Sequence, residues 1–425
     1  MEVIMEQITL NQTIEVKGDY DVIVGGGGVA GAAAALSAAR AGKSVLLIDK
    51  SISLGGLATI GLVNLFVSMC NGRGIQIIKG MADEFLRLSY KHGYDTLDDV
   101  WKNGEPGKDT GSRMFSRFSA PIFSLELTKI LHDAGVELLF DTVITKPIMK
   151  GKRCIGLVVE NKTGTEFYRG KMIVDTTGDA DILYRAGVPT VQGKNYHTFM
   201  THGMTVKTCA KVAETGNMAD LLHYFWGGQA DLHGRTHPEN IEPYSGTNAK
   251  DIARYVITNH LELLENISGD DRSSRDIQAI PTMCQFRTTR HIDGDYTLTC
   301  DDKFKHFENS VGTICDFEKK DDLYEVPYTT LVKKEFPNLI TAGRCASAVD
   351  YAWDILRVIP PAILTGQAAG EACAIAIDDN CDIADIDIAK LQGRLSKTGV
   401  DIHFDESLLP DDISSSGETV DIGHI

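Results

Sequence analysis

Three glycines near the N-terminus, Gly26, Gly28 and Gly31, have the spacing G-x-G-x-x-G. The first allows a tight turn, the second lets the backbone approach a pyrophosphate, and the third lets a helix pack closely on a strand. The helix that begins at this turn offers free N–H groups and a partial positive charge to phosphate oxygens. Asp49 ends the next apolar segment, where its carboxylate can accept hydrogen bonds from ribose hydroxyls. This combination predicts a dinucleotide-binding site.

Later glycine motifs favour FAD over NAD as the dinucleotide. A glycine pair within residues 54–59 follows the acid and would let the backbone pass close to the phosphates and the flavin ring. Residues 176–179 and 339–344 each follow or close an apolar strand, where further cofactor contacts are expected. The helix after Pro360 and Pro361 would direct its positive end at flavin N1 and the C2 carbonyl, which stabilises the anionic reduced ring.

The chemistry depends on polar residues far from the glycine turn. Only one dinucleotide fingerprint is present, so hydride is expected to pass directly between flavin N5 and a small polar substrate. Oxidation of an alcohol or amine is the favoured reaction, and it needs a base near the C–H bond, such as His291 or Asp350. The alternative is reduction of an activated C=C bond, with arginines binding a substrate carboxylate. A third interpretation is a noncatalytic or redox-sensing FAD-binding protein. The predicted catalytic residues are Arg290, His291, Asp350 and Arg357, and further polar candidates are Arg287, His197 and His202.

The elements that position these residues follow an α/β pattern. An apolar strand at 20–24, an alanine-rich helix and a second strand at 44–48 form a βαβ unit with parallel strands. We expect a loop over a ligand at 51–80, an amphipathic helix at 75–93, a mobile loop at 96–118 and a helix at 122–135. The βαβ alternation stops near residue 190 and returns near 325, where a strand precedes a long helix from about 361 to 377.

This alternation predicts a Rossmann-like FAD-binding domain with an inserted α+β substrate domain. The FAD-binding domain is expected to be discontinuous, at residues 18–190 and 325–380, with the insertion at 191–324. Residues 381–425 are interpreted as an acidic C-terminal tail that packs loosely.

Several motifs in one order resemble the family of FAD-dependent oxidoreductases related to the fumarate reductase and glutathione reductase flavoprotein fold. They are DYDVIVGGGGVAGAAAALSAARAGKSVLLIDK, LGGLAT, VDTTGDADI, and NLITAGRCASA with the following RVIP and GQAAG, while FRTTRHIDGDYTL is similar to an arginine-rich segment of that family. The resemblance implies FAD in an extended form, with adenine beside Val143. Asp350 stands where the family pattern has histidine, and His291 stands where a second arginine is usual. The residues assigned to FAD are Gly26, Gly28, Val29, Ala30, Gly31, Asp49, Lys50, Gly55, Gly56, Leu57, Ala58, Thr59, Val143, Thr177, Gly178, Asp179, Gly343, Arg344, Ile359 and Ala362.

The composition restricts the classes of binding partner and the cell compartment that we expect for this protein. The formal net charge of −17 on 425 residues disfavours binding to nucleic acid or anionic lipid, and no apolar run is long enough to span a membrane. The nine cysteines are scattered and none forms a Cys-x-x-Cys pair, so we expect a reducing cytoplasm, no disulfide framework and no metal site. The expected partners are a small-molecule substrate and an unidentified electron acceptor, such as oxygen, a quinone or a protein carrier. Association of identical chains is compatible with this sequence.

Overall fold

A computed structural model describes residues 8–410 of the chain. Its helices alternate with strands in the N-terminal part and return as a long helix after residue 358. The helices are α1 (Val29–Arg40), α2 (Met81–Tyr90), α3 (Asp99–Lys102), α4 (Ala120–Asp133), α5 (Asp181–Arg185), α6 (Val206–Thr215), α7 (Ala249–Ser268), α8 (Asp350–Arg357), α9 (Ile359–Asp379) and α10 (Ile388–Lys397).

The strands group into one large sheet and several small ones. They are β1 (Glu15–Gly25), β2 (Val45–Ile48), β3 (Leu65–Phe66), β4 (Ser116–Arg117), β5 (Glu137–Leu139), β6 (Val143–Lys150), β7 (Arg153–Asn161), β8 (Gly164–Asp175), β9 (Thr190–Gln192), β10 (Thr198–Thr205), β11 (His223–Gln229), β12 (Arg275–Ala279), β13 (Arg290–Ile292), β14 (Ser310–Cys315), β15 (Leu323–Pro327) and β16 (Leu339–Thr341). The large sheet has the order β5-β2-β1-β8-β7-β6, and β16 also pairs with β8.

The large sheet confirms the predicted Rossmann-like α/β class. Strands β5, β2, β1, β8 and β16 pair in parallel, whereas β8, β7 and β6 pair antiparallel. Residues 22–24 of β1 are fully buried, as continuous apolar runs in a covered parallel strand should be. A Cβ at Gly366 or Gly370 of α9 would overlap the backbone of α1, so these glycines let the two helices pack closely. This packing brings the N-termini of α1 and α9 to the same end of the sheet.

A second group of elements lies in the region predicted as the insertion. Strands β11, β10 and β12 form an antiparallel sheet, and α7 packs beside it around the buried aromatic residues Phe199, Tyr255 and Phe286. Strands β14 and β15 are also within 191–324 or at its edge. Their buried side chains, including Val311, join the core cluster of the N-terminal part instead. The domain boundaries themselves stay a prediction.

Three local expectations differ from the structure. The helix expected at 75–93 begins only at Met81, because Gly80 has φ 66° and ψ −134°, which is not a helical conformation. The loop expected at 96–118 contains α3 and the short strand β4, which pairs with β3. The expectation of loose packing after residue 380 is wrong for α10 and the segment that follows it, since Leu391, Leu395 and Val400 are buried in the main core. Residues 411–425 of that predicted tail lie outside the described part of the chain.

Candidate functional site

The glycine turn after β1 is shaped for close backbone packing. Gly26 has φ 108°, and a Cβ there would overlap the carbonyl of Thr176, which directly follows β8. A Cβ at Gly31 would overlap the carbonyl oxygen of Gly26. A Cβ at Gly28, in contrast, would meet no protein atom within 4 Å. The first and third glycines are therefore required by the protein's own packing, while the second borders open space.

The open space beside Gly28 lies at an uncapped helix N-terminus. Gly28 is the N-cap of α1, and no side chain satisfies the N–H groups of the first turn, which contains Val29 and Ala30. Gly56 has φ 54°, and a Cβ there would stand 3.1 Å from the Cα of Gly28. The Gly27 carbonyl accepts the N–H of Gly55 at 2.8 Å. The two glycine segments thus meet at a helix end that offers free donors to an anion.

Asp49 stands beside this turn at the end of β2. Its carboxylate accepts the N–H of Gly27 and of Ser51, at 2.5 and 2.6 Å. Burial raises the pKa of Asp49 above its usual value, and these two hydrogen bonds oppose the rise. Thr142 donates its N–H to the Asp49 carbonyl at 3.1 Å, which places the following Val143, half exposed, beside the acid. Lys50 is exposed next to it.

The segment after β8 is held by an arginine from the far end of the chain. Arg344 donates to the carbonyl oxygens of Gly178 and Phe286 at 2.5 and 2.6 Å, and to the Asp179 carboxylate at 2.9 Å. Thr177 is fixed separately, through hydrogen bonds to Asp175. Arg344 therefore joins three chain segments, and its guanidinium orients the predicted cofactor residues 178 and 179.

Helix α9 completes this end of the sheet. It begins at Ile359, with Pro360 and Pro361 in its first turn and no side-chain cap. Gly343 has φ 68°, and a Cβ there would stand 2.8 Å from the Cβ of Ala30 and 3.6 Å from that of Ala362. The first turns of α1 and α9 therefore converge on Gly343. The residues predicted from sequence to hold FAD are brought together here. We call this surface the cradle; it is formed by the turn at 25–31, residues 54–59 and 177–179, Gly343 and the first turn of α9.

A cavity of about 320 Å³ adjoins the cradle. Leu57 from the second glycine segment and Ile359 from the start of α9 form part of its wall, so cradle and cavity share a border. The wall is largely apolar, with three arginines and no carboxylate or histidine among the described residues that line it. Its lining residues are Leu57, Val63, Asn64, Leu65, Val67, Arg117, Thr198, Met200, Tyr224, Trp226, Leu232, Gln285, Phe286, Arg287, Phe317, Arg357, Val358 and Ile359.

Two of the three arginines lie on one side of the cavity. Burial, and then the charge of Arg357, lowers the pKa of Arg287 to about 10. Arg357 donates twice to the Asp354 carboxylate, at 2.8 and 2.6 Å, and Arg287 donates to the Ala230 carbonyl at 3.1 Å. The Arg287 and Arg357 guanidinium groups thus lie close enough to repel each other in a poorly solvated place. This side of the cavity is suited to an anionic ligand group.

The third arginine is paired with a phenol. Arg117 donates to the Tyr224 hydroxyl, which in turn donates to the Asn64 side-chain oxygen at 3.3 Å. Burial raises the pKa of Tyr224, and Arg117 opposes that rise by charge and hydrogen bonding. Tyr224 is therefore protonated, and the positive charge of Arg117 lies beside it, where it would stabilise the phenolate form.

The predicted catalytic residues are separated by the fold. Arg357 lines the cavity beside the cradle. His291 and Asp350 instead line a second cavity of about 560 Å³, and Arg287 lies on the wall that the two cavities share. Arg290 lines neither: it donates to the Asp179 carbonyl at 2.8 Å and the Asp181 carboxylate at 2.7 Å, and its guanidinium lies over the Tyr184 ring. The catalytic roles of all four stay predictions.

The two further histidines have partners inside the protein. His202 Nε2 lies 2.9 Å from the Leu62 carbonyl, and burial lowers the pKa of this imidazole to about 4. His197 is buried between Glu262 and the Tyr244 hydroxyl. Neither lines the first cavity, although the His202 ring meets the Tyr224 ring edge at 5.4 Å.

Sequence reasoning missed the residues that give the cavity its polar wall. Arg117 falls in a segment expected to be a mobile loop, and Asn64 in one expected to cover a ligand. Tyr224 and Trp226 come from an aromatic run, HYFW, in the predicted insertion. The available signal was that Tyr224 and Trp226 are two residues apart in a strand-like run, since alternate residues of a strand face the same side.

Comparison with known proteins identifies the family. The model for FAD dependent oxidoreductase matches residues 21–257 and 226–395. The chain belongs to this FAD-dependent oxidoreductase family. It is therefore an enzyme, and FAD is its cofactor, as the glycine motifs predicted.

The chain is similar to curated proteins over only part of their length. Digeranylgeranylglycerophospholipid reductase 1 of Methanococcoides burtonii is 24% identical over 50% of this chain and 49% of its own. The Methanoculleus marisnigri digeranylgeranylglycerophospholipid reductase is 27% identical over 41% of this chain and 43% of its own. This FAD-dependent oxidoreductase thus spans about half the length of the curated relatives it matches. A solved structure, the p-nitrophenol 4-monooxygenase of Pseudomonas putida, is 11% identical with a TM-score of 0.49 over 90% of this chain and 84% of its own.

Over residues 8–410, no helix has the length and apolar character needed to cross a membrane.

The cradle fits the cofactor of the family. The open face at Gly28 can admit a pyrophosphate where a side chain could not, and the uncapped N-terminus of α1 supplies donors for it. Asp49 and Val143 lie together at the sheet edge, where ribose and adenine would be held. The assignment of individual residues to FAD stays a prediction, and Gly28 offers the sharpest test of it.

Proposed function

We propose that this enzyme reduces an activated C=C bond in a substrate that combines an apolar chain with a carboxylate or similar anionic group. The observation that carries the proposal is the cavity wall. Its described residues include a protonated phenol and three arginines, but no carboxylate or histidine that could remove a proton from an alcohol or amine. The wall therefore supports reduction over the alcohol or amine oxidation that the sequence favoured.

The arginines bind and polarise the substrate in this proposal. Arg287 and Arg357 receive the anionic group, because both guanidinium groups line the same side of the cavity and lie close enough for their charges to interact. The apolar wall, with Leu65, Val67 and other side chains, takes the chain of the substrate and excludes water. Reduced FAD supplies the hydride when it is bound in the cradle.

Tyr224 is the proton donor in this proposal. Its hydroxyl gives a proton to the carbon of the double bond that does not receive hydride, and Arg117 stabilises the phenolate left behind. Asn64 holds the hydroxyl in place through its side-chain oxygen. Solvent returns the proton once product leaves.

The names of the curated relatives support a reduction, but the substrate in those names is larger than the cavity of this chain suits. Both are named as reductases of digeranylgeranylglycerophospholipid. A cavity of about 320 Å³ is at the small end of ligand sites, which suits a medium-chain acid better than a lipid with two long chains. We therefore infer a smaller unsaturated acid as the substrate class.

The test mixes anaerobically reduced holoenzyme with medium-chain 2-enoic acids and identifies products by mass spectrometry. We expect the saturated acid, with oxidised flavin formed in equal amount. Replacing Tyr224 by Phe should slow this step by about 10²- to 10⁴-fold, which is the usual contribution of a general acid. Tyr184→Phe is the matched control, since Tyr184 is an exposed phenol outside the cavity. No reduction of any enoic acid, or equal rates for the two variants, would reject the proposal.

A further inference from the structure

Two histidines converge on a buried carboxylate at a place remote from the cradle. His306 Nδ1 lies 2.5 Å from one oxygen of Glu325, and His403 Nδ1 lies 3.0 Å from both oxygens. The Glu325 side chain is fully buried, whereas the two histidine side chains are 40% and 46% exposed. All three ligand atoms lie within 4.8 Å of one another. From this geometry we propose that His306, Glu325 and His403 bind a divalent transition-metal ion of the zinc class.

The Glu325 carboxylate is buried beside two imidazole groups. Glu325 is contacted by the imidazoles of His306 and His403 and by the N–H of Phe307. Burying a carboxylate is costly, so a bound cation would stabilise this arrangement.

The donor set selects the metal class. Two imidazole nitrogens and one carboxylate suit Zn²⁺ and similar ions, which take such ligands at about 2.0–2.2 Å and leave a fourth position for water. Tetrahedral coordination needs the donor atoms about 3.3 Å apart, so the present hydrogen-bonded atoms must separate by less than about 1 Å. The half-exposed histidine rings can make that adjustment and leave a route for the ion.

The surroundings are those expected around metal ligands. Phe307 donates its N–H to the second oxygen of Glu325 at 2.7 Å and so fixes the carboxylate. Glu406 lies 3.7 Å from His306 Nε2, which is within ion-pair distance but longer than a hydrogen bond. The His306 ring is stacked on Phe404 with 4.2 Å between the ring centres, which limits its rotation.

The site would fasten the C-terminal segment to the core. Glu325 belongs to β15, His306 to the loop before β14, and His403 to the segment after α10. That segment is already tied to β14, because Thr313 donates its N–H to the Asp401 carbonyl at 2.8 Å and Ser310 donates its hydroxyl to the Ile402 carbonyl at 2.6 Å. A metal ion would lock three separate pieces of chain together. The sequence predicts no metal site, because its cysteines are scattered and none forms a Cys-x-x-Cys pair. This inference is independent of the reaction proposed above.

The test uses full-length FAD-loaded protein from which metal has been removed with a chelator. We expect one equivalent of Zn²⁺ to bind, and Co²⁺ in its place to give the visible absorption of a four-coordinate ion. At a hundredfold excess over Kd, Zn²⁺ should raise Tm by about 3 °C, while Mg²⁺ and Ca²⁺ should not. His403→Gln and the double variant with His306→Gln should lose both the stoichiometric binding and the Tm shift.

The matched control is His132→Gln, because His132 is a highly exposed histidine that pairs only weakly with Asp133. It should bind Zn²⁺ as the unmodified protein does. Retained FAD content shows that each variant is folded, and since His403 is half exposed its single variant supplies a result even if the double variant fails to fold. Absence of stoichiometric Zn²⁺ and Co²⁺ binding would overturn the proposal, as would binding that is unchanged in His403→Gln.

Discussion

Replacing Gly28 by alanine should weaken FAD binding and leave the packing of the protein itself nearly unchanged. The added methyl group meets no protein atom within 4 Å, and φ −64° with ψ 177° is a conformation that alanine adopts freely. Alanine is a poorer N-cap than glycine by up to about 1 kcal/mol. Its lower chain entropy in the unfolded state offsets about 0.4–1 kcal/mol of that loss. The stability of the apoprotein should therefore change by less than about 1 kcal/mol.

Binding of FAD should respond much more strongly. The methyl group occupies the open face at which backbone N–H groups would reach the pyrophosphate. Losing one hydrogen bond to a charged group costs about 1.5–3 kcal/mol, which raises Kd roughly 10- to 150-fold. Titration of apoprotein with FAD, followed by quenching of flavin fluorescence, measures that change directly.

A second glycine of the same turn provides the contrast. In Gly31→Ala the methyl group overlaps the Gly26 carbonyl within the protein, so this variant should lose stability even without FAD. Urea unfolding of both apoproteins measures the difference. If Gly28→Ala binds FAD as tightly as the unmodified protein, or if its apoprotein is as unstable as that of Gly31→Ala, the assignment of this face to the pyrophosphate is wrong.

Three further predictions follow from the polar contacts. Arg357→Gln should raise KM for an enoic acid about 10- to 100-fold and leave KM for its methyl ester unchanged, because only the acid uses the guanidinium charge; equal effects on both would contradict the role of Arg357. Burial depresses the pKa of His202 to about 4 in the folded state, so its contribution to stability is present above the unfolded value of about 6.5 and is lost as pH falls through 4. The free energy of unfolding obtained from urea titrations should fall across that window by up to about 1.4 kcal/mol per pH unit, and His202→Gln should flatten the fall; an identical pH profile in the variant would refute the assignment. Arg290→Ala should lower stability and FAD affinity but leave kcat per bound FAD nearly unchanged, since Arg290 holds the turn at Asp179 and Asp181 without lining the cavity; a large loss of kcat with full FAD content would restore its predicted catalytic role.

The cradle could be predicted from sequence because its signals are local. Gly26, Gly28 and Gly31 lie within one turn between a buried strand and an alanine-rich helix, and Asp49 closes the next strand. Residues 343 and 344 are distant along the chain, but they also follow a recognisable strand. Each of these positions is tied to the end of a parallel strand, and such ends meet at one edge of a sheet.

The cavity could not be predicted in the same way, because its wall is assembled from unrelated segments. Arg117 comes from a two-residue strand, Tyr224 from β11 and Arg287 from a loop before β13, and no periodic pattern links them. His291 and Asp350 are close in sequence to residues that do reach the cavity, yet they face a second one. Tertiary packing decides which of two residues close in sequence lines a given cavity.

The most direct test of the proposed reaction is an anaerobic single-turnover experiment in both redox directions. Reduced holoenzyme is mixed in a stopped-flow instrument with a medium-chain 2-enoic acid, and oxidised holoenzyme is mixed with the corresponding alcohols and amines. We predict that the enoic acid reoxidises the flavin and yields one saturated acid per flavin, while the alcohols and amines leave the oxidised flavin unchanged. Bleaching of the oxidised flavin by an alcohol or amine, with no reoxidation by any enoic acid, would contradict the proposed reduction.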